Sequence, residues 1–429
     1  MKNLLEKPQV NLMNYIPHTK EDVTQMLKEI GASSIDELIG DFKPRITSSL
    51  KLPEPMNEMQ LVSYFSELAG KNKIFKYFVG AGAYDHYSPA VVDHLIKRGE
   101  FMTSYTPYQP EASQGMLQAM YEFQSFICLL TGMDVSNASL YDGASALAEA
   151  VLLSSSYTKK RHVFVDNGLN PSYYEALKTY CNGSDLEFTN TIDENTCCVI
   201  SQNPDFYGNI KDLRPLVEEA HHNKALFITC INEPTSLALL KPPGEYGSDI
   251  VVGEGQSFGI PLSFGGPYLG FLAVKNFLLK KIPGRIVGMT EDKNGKKGFV
   301  LTLQAREQYI RRERATSNMT TNQALLALAA TIYLATVGRK GLIDVAKNSY
   351  YKAHLLYEKL QKVGFKGLNE KYFYNEFCVK TPKTANKIFS QLIEQKIVGG
   401  LVVDDDKMIV CCTEKNSTAD INTYLEALK

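Results

Sequence analysis

The chain has 429 residues, 44% of them hydrophobic and 22% charged, with a formal net charge of −1. Charge this evenly balanced offers no electrostatic argument for nucleic acid or an anionic membrane as a partner. A chain of this size buries roughly 75% of its extended surface without staples, and at roughly 150 residues per domain it is expected to hold two or three.

Residues 1–68 read as a helical arm. Thr19 or His18 opens KEDVTQMLKEIG, with acids early and Gly31 closing it, and Ser34 with Glu37 three residues on forms a capping-box pattern. Pro44, Pro53 and Pro55 punctuate the rest of the arm, against a compact domain. The opening stretch lacks the apolar core of a signal peptide, and no apolar run reaches transmembrane length, so a cytoplasmic protein is expected.

Residues 69–320 read as a large α/β domain. GMLQAMYEFQSFICLLTG has apolar residues at helical spacing (Met116, Met120, Phe123, Ile127, Leu130), and SNASLYDGASALAEAVLL reads as strand, glycine turn and helix. RHVFVDN, CCVISQN, ALFITCIN and DIVVGEG are short β-branched or aromatic runs; PSYYEALKTYCNG and IKDLRPLVEEAHHN are helices between them. Such alternation predicts a mainly parallel sheet covered on both faces. Ligand chemistry then gathers at the carboxyl ends of the strands, where Gly143, Asn203, Asn232 and Gln256 fall. Residues 321–429 read as two long helices (TNQALLALAATIYLATVG and Leu342–Val363) leading into a smaller α+β domain.

Several motifs have plain readings. Gly253-x-Gly255-x-x-x-Gly259 cannot be a dinucleotide fingerprint, because Pro261, Gly265, Gly266 and Pro267 forbid the helix that would receive a pyrophosphate. Asp142-Gly143-Ala144-Ser145 is either a phosphate cradle or an ordinary capped helix start. His86 and His94 read as polar surface residues outside any metal pattern. The eight cysteines include no CxxC; Cys197–Cys198 and Cys411–Cys412 are adjacent on strand-like segments, with neighbouring thiols expected on opposite faces.

After the Asp249–Val252 run the chain reads GEGQSFGIPLSFGGPYLG. Its frame of Gln256, Ser257, Phe258, Pro261, Gly265, Gly266 and Pro267 resembles the lysine loop of fold-type-I pyridoxal-phosphate enzymes. It is most similar to glycine decarboxylase, the P protein of the glycine cleavage system. The stretches YIPHTKEDVTQMLKEIGASSIDELI, YFVGAGAYDHYSPAVVDHLIKRGEFMTSYTPYQPEASQG and RRERATSNMTTNQALLALAAT resemble the same family.

The resemblance implies a large pyridoxal-phosphate-transferase-like domain, a small C-terminal domain, and an arm that wraps a partner. It places Gln256 at the cofactor lysine and Cys230 at the aspartate that pairs with the pyridinium nitrogen. Glutamine has no nucleophilic amine, and a buried thiol stays neutral. Lys241 and Lys275, the nearest alternative lysines, read as solvated. The chain therefore reads as the non-catalytic half of a two-chain glycine decarboxylase, in a heterotetramer with a lysine-bearing sister subunit that carries the pyridoxal phosphate. Glycine and the lipoyl-bearing H protein are the implied substrate and carrier. Gly265 and Gly266 are expected to reach the sister's cofactor phosphate in trans. Tyr105, Tyr108 and Gln109 form a site or interface loop, and Arg312 through Asn318 lies at a domain junction or interface. A stand-alone enzyme using another lysine, and a pseudo-enzyme unconnected with glycine, are the alternatives.

Overall fold

The computed structural model describes residues 18–40, 52–104, 107–315, 317–319, 322–369 and 372–429. The chain divides into two compact units, Met1–Asn72 and Lys73–Lys429. In the first, Thr19 caps helix Lys20–Glu29 with a full capping box: the Asp22 amide donates to the Thr19 hydroxyl, and the Thr19 amide donates back to the Asp22 carboxylate. Ser34 caps Ile35–Ile39 by accepting from the Glu37 amide, but the Glu37 carboxylate accepts from Ser33 rather than Ser34. The expected box is thus displaced by one residue. A third helix, Glu58–Gly70, starts at Asn57, and none of the three buries a residue.

The second unit is built on a seven-stranded sheet. Its strands, numbered in chain order, are β1 (Val135–Ser136), β2 (His162–Val165), β3 (Glu187–Thr189), β4 (Thr196–Gln202), β5 (Leu226–Ile231), β6 (Ile250–Glu254) and β7 (Gly270–Val274). Their spatial order is β1-β7-β6-β5-β4-β2-β3. Strands β2 to β6 pair in parallel, while β7 runs antiparallel to both of its neighbours. Every residue of β4 to β7 is buried, as expected of strands covered on both faces.

Side-chain alternation decides which layer each strand residue joins. Val252, Ile228 and Cys198 pack with Leu147 and Val151 of helix Gly143–Thr158 on one face. On the other, Val251, Phe271 and Ala273 pack with Phe123 and Ile127 of helix Gln114–Thr131. Each such side chain contributes about 1.5–3 kcal/mol by leaving water. One expectation fails at Cys197–Cys198. A register shift between His162 and Val163 bulges β4 there, so the two sulfurs lie 3.7 Å apart instead of on opposite faces.

A hairpin of Ile286–Glu291 and Lys297–Thr302 was not anticipated, although Asn294-Gly295 at its tip, with Gly295 at φ 76°, is a hairpin turn signal. A four-stranded antiparallel sheet (Lys366–Gly367, Glu376–Lys380, Lys407–Cys411, Leu401–Asp404) lies toward the C-terminus. Helices Ala385–Glu394 and Thr418–Glu426 share its core through Ile388, Leu392, Ile421 and Tyr424.

The two long helices expected from the sequence form one run, Ala324–Lys362, broken by Gly338 at φ 59°, ψ −176°. Among the described residues this run alone is long and apolar enough to cross a membrane, contrary to the expectation that no stretch reaches that length. Its continuous part before the kink, Ala324 to Val337, is 14 residues, about 21 Å and short of a hydrocarbon core of about 30 Å. Ala327, Ala330, Tyr333 and Leu334 of that part are buried in the core.

Candidate functional site

The parallel strands end along one edge, and the chain leaves β6 there as Gly255, Gln256 and Ser257. Gln256 is 1% exposed, and its amide is fully engaged. Its Oε1 accepts from the Tyr84 amide at 2.8 Å, while Nε2 donates to the Tyr84 carbonyl at 3.0 Å and to the Ile260 carbonyl at 2.6 Å. An amide can do this because it carries both donor and acceptor; an ammonium has no acceptor for the Tyr84 N–H. Gln256 therefore ties the Tyr84 segment to the loop after β6.

Two residues earlier, Glu254 ends β6 and is 2% exposed. Its carboxylate accepts from three amides: Gly143 at 3.0 Å, Gln256 at 3.1 Å and Leu269 at 2.8 Å. Burial pushes this carboxyl up to about 7 against those three bonds. Gly143 is the first residue of helix Gly143–Thr158, whose capping residue Asp142 accepts from the Ser145 amide at 2.7 Å. The Asp142–Ser145 turn is thus a capped helix start in which Glu254 and Asp142 take the amides of Gly143 and Ser145. A Cβ on Gly143 would strike the Tyr173 hydroxyl, so Tyr173 covers the turn from above.

Cys230, next to last in β5, is fully buried, and its thiol donates to Asn232 Oδ1 at 3.5 Å. Burial first, then the charge of Glu254, pushes the thiol pKa up, so it stays neutral. A neighbouring cavity, lined by Tyr84, Asn232, Glu233, Tyr374 and Glu376 and not by Gln256, Cys230 or Gly143, measures about 10 Å³. That is at most the room of one water, where small-molecule pockets are roughly 300–1,000 Å³.

His86 overturns its reading as a surface residue. It is 8% exposed, with Nδ1 2.6 Å from Glu414 and Nε2 3.1 Å from Glu233. Burial opposes the charged ring, but the two carboxylates outweigh it and hold the pKa at about 10. Ser257 donates to the same Glu233 oxygen at 2.9 Å, and the Tyr87 amide donates to Glu414 at 2.6 Å. The hydroxyl beside Gln256 therefore serves an ionic junction that joins residues 84–87, the loop after β5 and the C-terminal segment. His94 is exposed as expected.

Gly265 and Gly266 sit in a turn in which Ser263, Phe264, Gly265 and Gly266 all have positive φ (46°, 55°, 109° and 129°). The Gly265 amide bonds to the Leu262 carbonyl at 2.9 Å; the Gly266 amide reaches Ser263 O only at 3.4 Å. Phe264 at the tip is 99% exposed. Gln109 is exposed, and Tyr105 lies outside the described residues. Tyr108 is 49% exposed, with Arg285 over its ring at 5.4 Å and Tyr309 at 5.7 Å. Arg311, Arg312 and Arg314 are exposed; Thr316 lies outside the described residues.

Lys275 is not solvated as expected: it is half-buried, and its ammonium donates to Gly244 O at 3.2 Å. Lys241 is exposed. Lys275 follows antiparallel β7 and bonds to Asp249 O before β6, at the edge opposite Gln256. The five-residue β6 separates the two edges by about 16 Å. Among the described residues no group of three metal-ligating side chains converges.

Pyridoxal phosphate does not fit this pocket. The Gly143 amide at the helix start is taken by Glu254, Tyr173 covers that turn, and Gln256 offers no amine. Glu254 and Tyr84 were missed from sequence, although a lone acid ending the apolar run IVVGE was a visible sign.

Residues 13–428 match the family model of the glycine cleavage system P-protein. A probable glycine dehydrogenase (decarboxylating) subunit 1 from Geobacillus sp. strain WCH70 is 45% identical, over 97% of this chain and 99% of that one. The crystal structure of a glycine decarboxylase (P-protein) of the glycine cleavage system, in inhibitor-bound form, superposes with a TM-score of 0.90 at 42% identity, covering 97% of this chain and 99% of the other. The cystine C–S lyase C-DES, solved with glycine covalently linked to its PLP cofactor, shares the fold at a TM-score of 0.60 and 15% identity, over 87% and 99% of the two chains. The architecture is that of fold-type-I pyridoxal-phosphate enzymes.

Proposed function

The chain belongs to the glycine cleavage system P-protein family, and we propose that it is the subunit without the cofactor lysine in a two-chain glycine decarboxylase. In this reading a sister subunit bears the lysine and the pyridoxal phosphate, which supplies the electron sink for glycine decarboxylation. The complex releases CO2 and passes the aminomethyl group to the lipoyl group of the H protein. The observation that carries the reading is Gln256, whose amide is bonded into the backbone at the lysine position while the surrounding glycine and proline frame remains. The subunit 1 name of the relatives agrees with a second chain. A stand-alone enzyme is disfavoured, because Lys275 lies at the opposite edge of the sheet and is bonded to Gly244.

We assign the Ser263–Pro267 turn as this chain's contribution to the sister's site. Glycines let backbone amides approach a phosphate without a Cβ in the way. Gly266 is the better candidate, since its amide is the more loosely held of the two. Exposed Phe264 beside it suits an apolar contact with the sister chain. Tyr108 and Gln109 line the exposed loop that would face the same partner. An obligate assembly of two copies of each chain is expected, with an apolar interface of about 2,000–5,000 Å².

The test is coexpression with the lysine-bearing sister. The pair should copurify as a hetero-oligomer and exchange the glycine carboxyl with bicarbonate when H protein is supplied. This chain alone should do neither, and borohydride with added pyridoxal phosphate should label none of its lysines stoichiometrically. Clean labelling of one lysine together with activity would overturn the assignment.

A further inference from the structure

We propose that Glu254 is an internal anion that has taken over the anion-binding end of helix Gly143–Thr158 and closes the pocket from within. This rests on the fold and on this chain's own contacts, and stands whether or not the subunit reading does. A 16-residue helix presents unpaired amides and the positive end of its dipole at Gly143, and a glycine there lets an anion come close. The Glu254 carboxylate occupies that position at 3.0 Å from the Gly143 amide. Its other oxygen takes the Gln256 and Leu269 amides. One carboxylate therefore pins the helix start, the loop after β6 and the residue before β7. Asp142 does not compete, because its side chain caps Ser145.

A side chain that only filled space would not need to meet three donors from separate segments, and above its pKa of about 7 Glu254 meets them as a carboxylate. An external anion at this helix must displace Glu254, so the intact chain excludes it. Removing the carboxylate leaves three buried amides without an acceptor and a gap of anion size at the dipole's positive end.

The experiment is thermal melting, at about pH 8 so that Glu254 of the wild type is ionised, of the full-length chain carrying Glu254→Ala, titrated with inorganic phosphate at ionic strength held constant with chloride. In chloride alone its Tm should fall by at least about 3 °C. Phosphate should restore half or more of that loss along a saturating curve, and acetate should act similarly. The wild type and Glu254→Gln, in which the position stays filled, should show no saturable response. Equal responses from Glu254→Ala and wild type, or none from Glu254→Ala beyond that to chloride, overturn the proposal. If Glu254→Ala does not fold in chloride, refolding yield becomes the readout: recovery that needs phosphate or acetate supports the internal anion, and failure in every buffer overturns it. None of these outcomes involves glycine, the sister chain or the cofactor.

Discussion

Two stretches that are neighbours in sequence, residues 254–260 and 262–267, have opposite physical characters. In the first, the Glu254 and Gln256 side chains are buried, and each meets partners from distant segments. In the second, four successive residues hold positive φ, Phe264 stands in solvent, and the Gly266 amide has only a long bond. Chain inside the pocket satisfies its buried polar groups from within this subunit. The turn just outside it keeps a conformation that costs stability and gains little from this subunit alone. Such a contrast is what a lost internal site beside a retained external one would leave.

The strongest way to break the comparison is Gln256→Lys. It leaves the Tyr84 N–H without an acceptor and buries an ammonium among carbonyls, and should destabilise the chain by about 3–5 kcal/mol. Urea denaturation of the main transition would measure this. No glycine exchange should appear if, as the proposed reading has it, Cys230 stands where the ring-pairing aspartate would be. A variant as stable as wild type would mean that the pocket is adaptable.

Next in size is the pH response of the ionic junction. With its folded pKa held at about 10 against about 6.5 unfolded, His86 contributes stability that is complete below pH 6.5 and lost as pH rises toward 10. Tm should therefore drop between pH 7 and 10 in the wild type and change less in His86→Gln. Glu254 and Glu376, both pushed up by burial to about 7, bind protons more tightly folded than unfolded. Their contribution is present below about pH 4.5 and is lost as pH rises to about 7. Glu254→Gln should remove part of the decline over that lower window.

For the exposed turn the effects belong to the assembly. Gly266→Val should weaken the sister subunit's hold on pyridoxal phosphate by about 1–3 kcal/mol, read by cofactor titration of the assembled complex. Unchanged affinity would reduce the turn to scaffold. The smallest effect on the chain itself is expected from Phe264→Ser, within about 0.5 kcal/mol of wild type in isolation. Its cost should appear only as faster dissociation of the pair; a marked loss of Tm in the lone subunit would show that Phe264 packs within its own chain.

Much of the framework was legible in the residues alone. Strands β4 to β6 announced themselves as apolar runs because both faces of the sheet are covered, and helix Gln114–Thr131 did so through its apolar spacing. The tight turn after Gln256 was likewise visible, because the glycines and prolines there hold a local backbone shape. What those residues touch was not visible. Glu254 meets Gly143 across 111 positions, Gln256 meets Tyr84 across 172, and His86 lies between Glu233 and Glu414. Periodicity and turn chemistry act over a few residues, so they mark where a strand ends and a turn begins. Whether a buried carboxylate finds an amide, or a histidine two carboxylates, depends on strand order and the packing of distant loops, which only the folded chain decides.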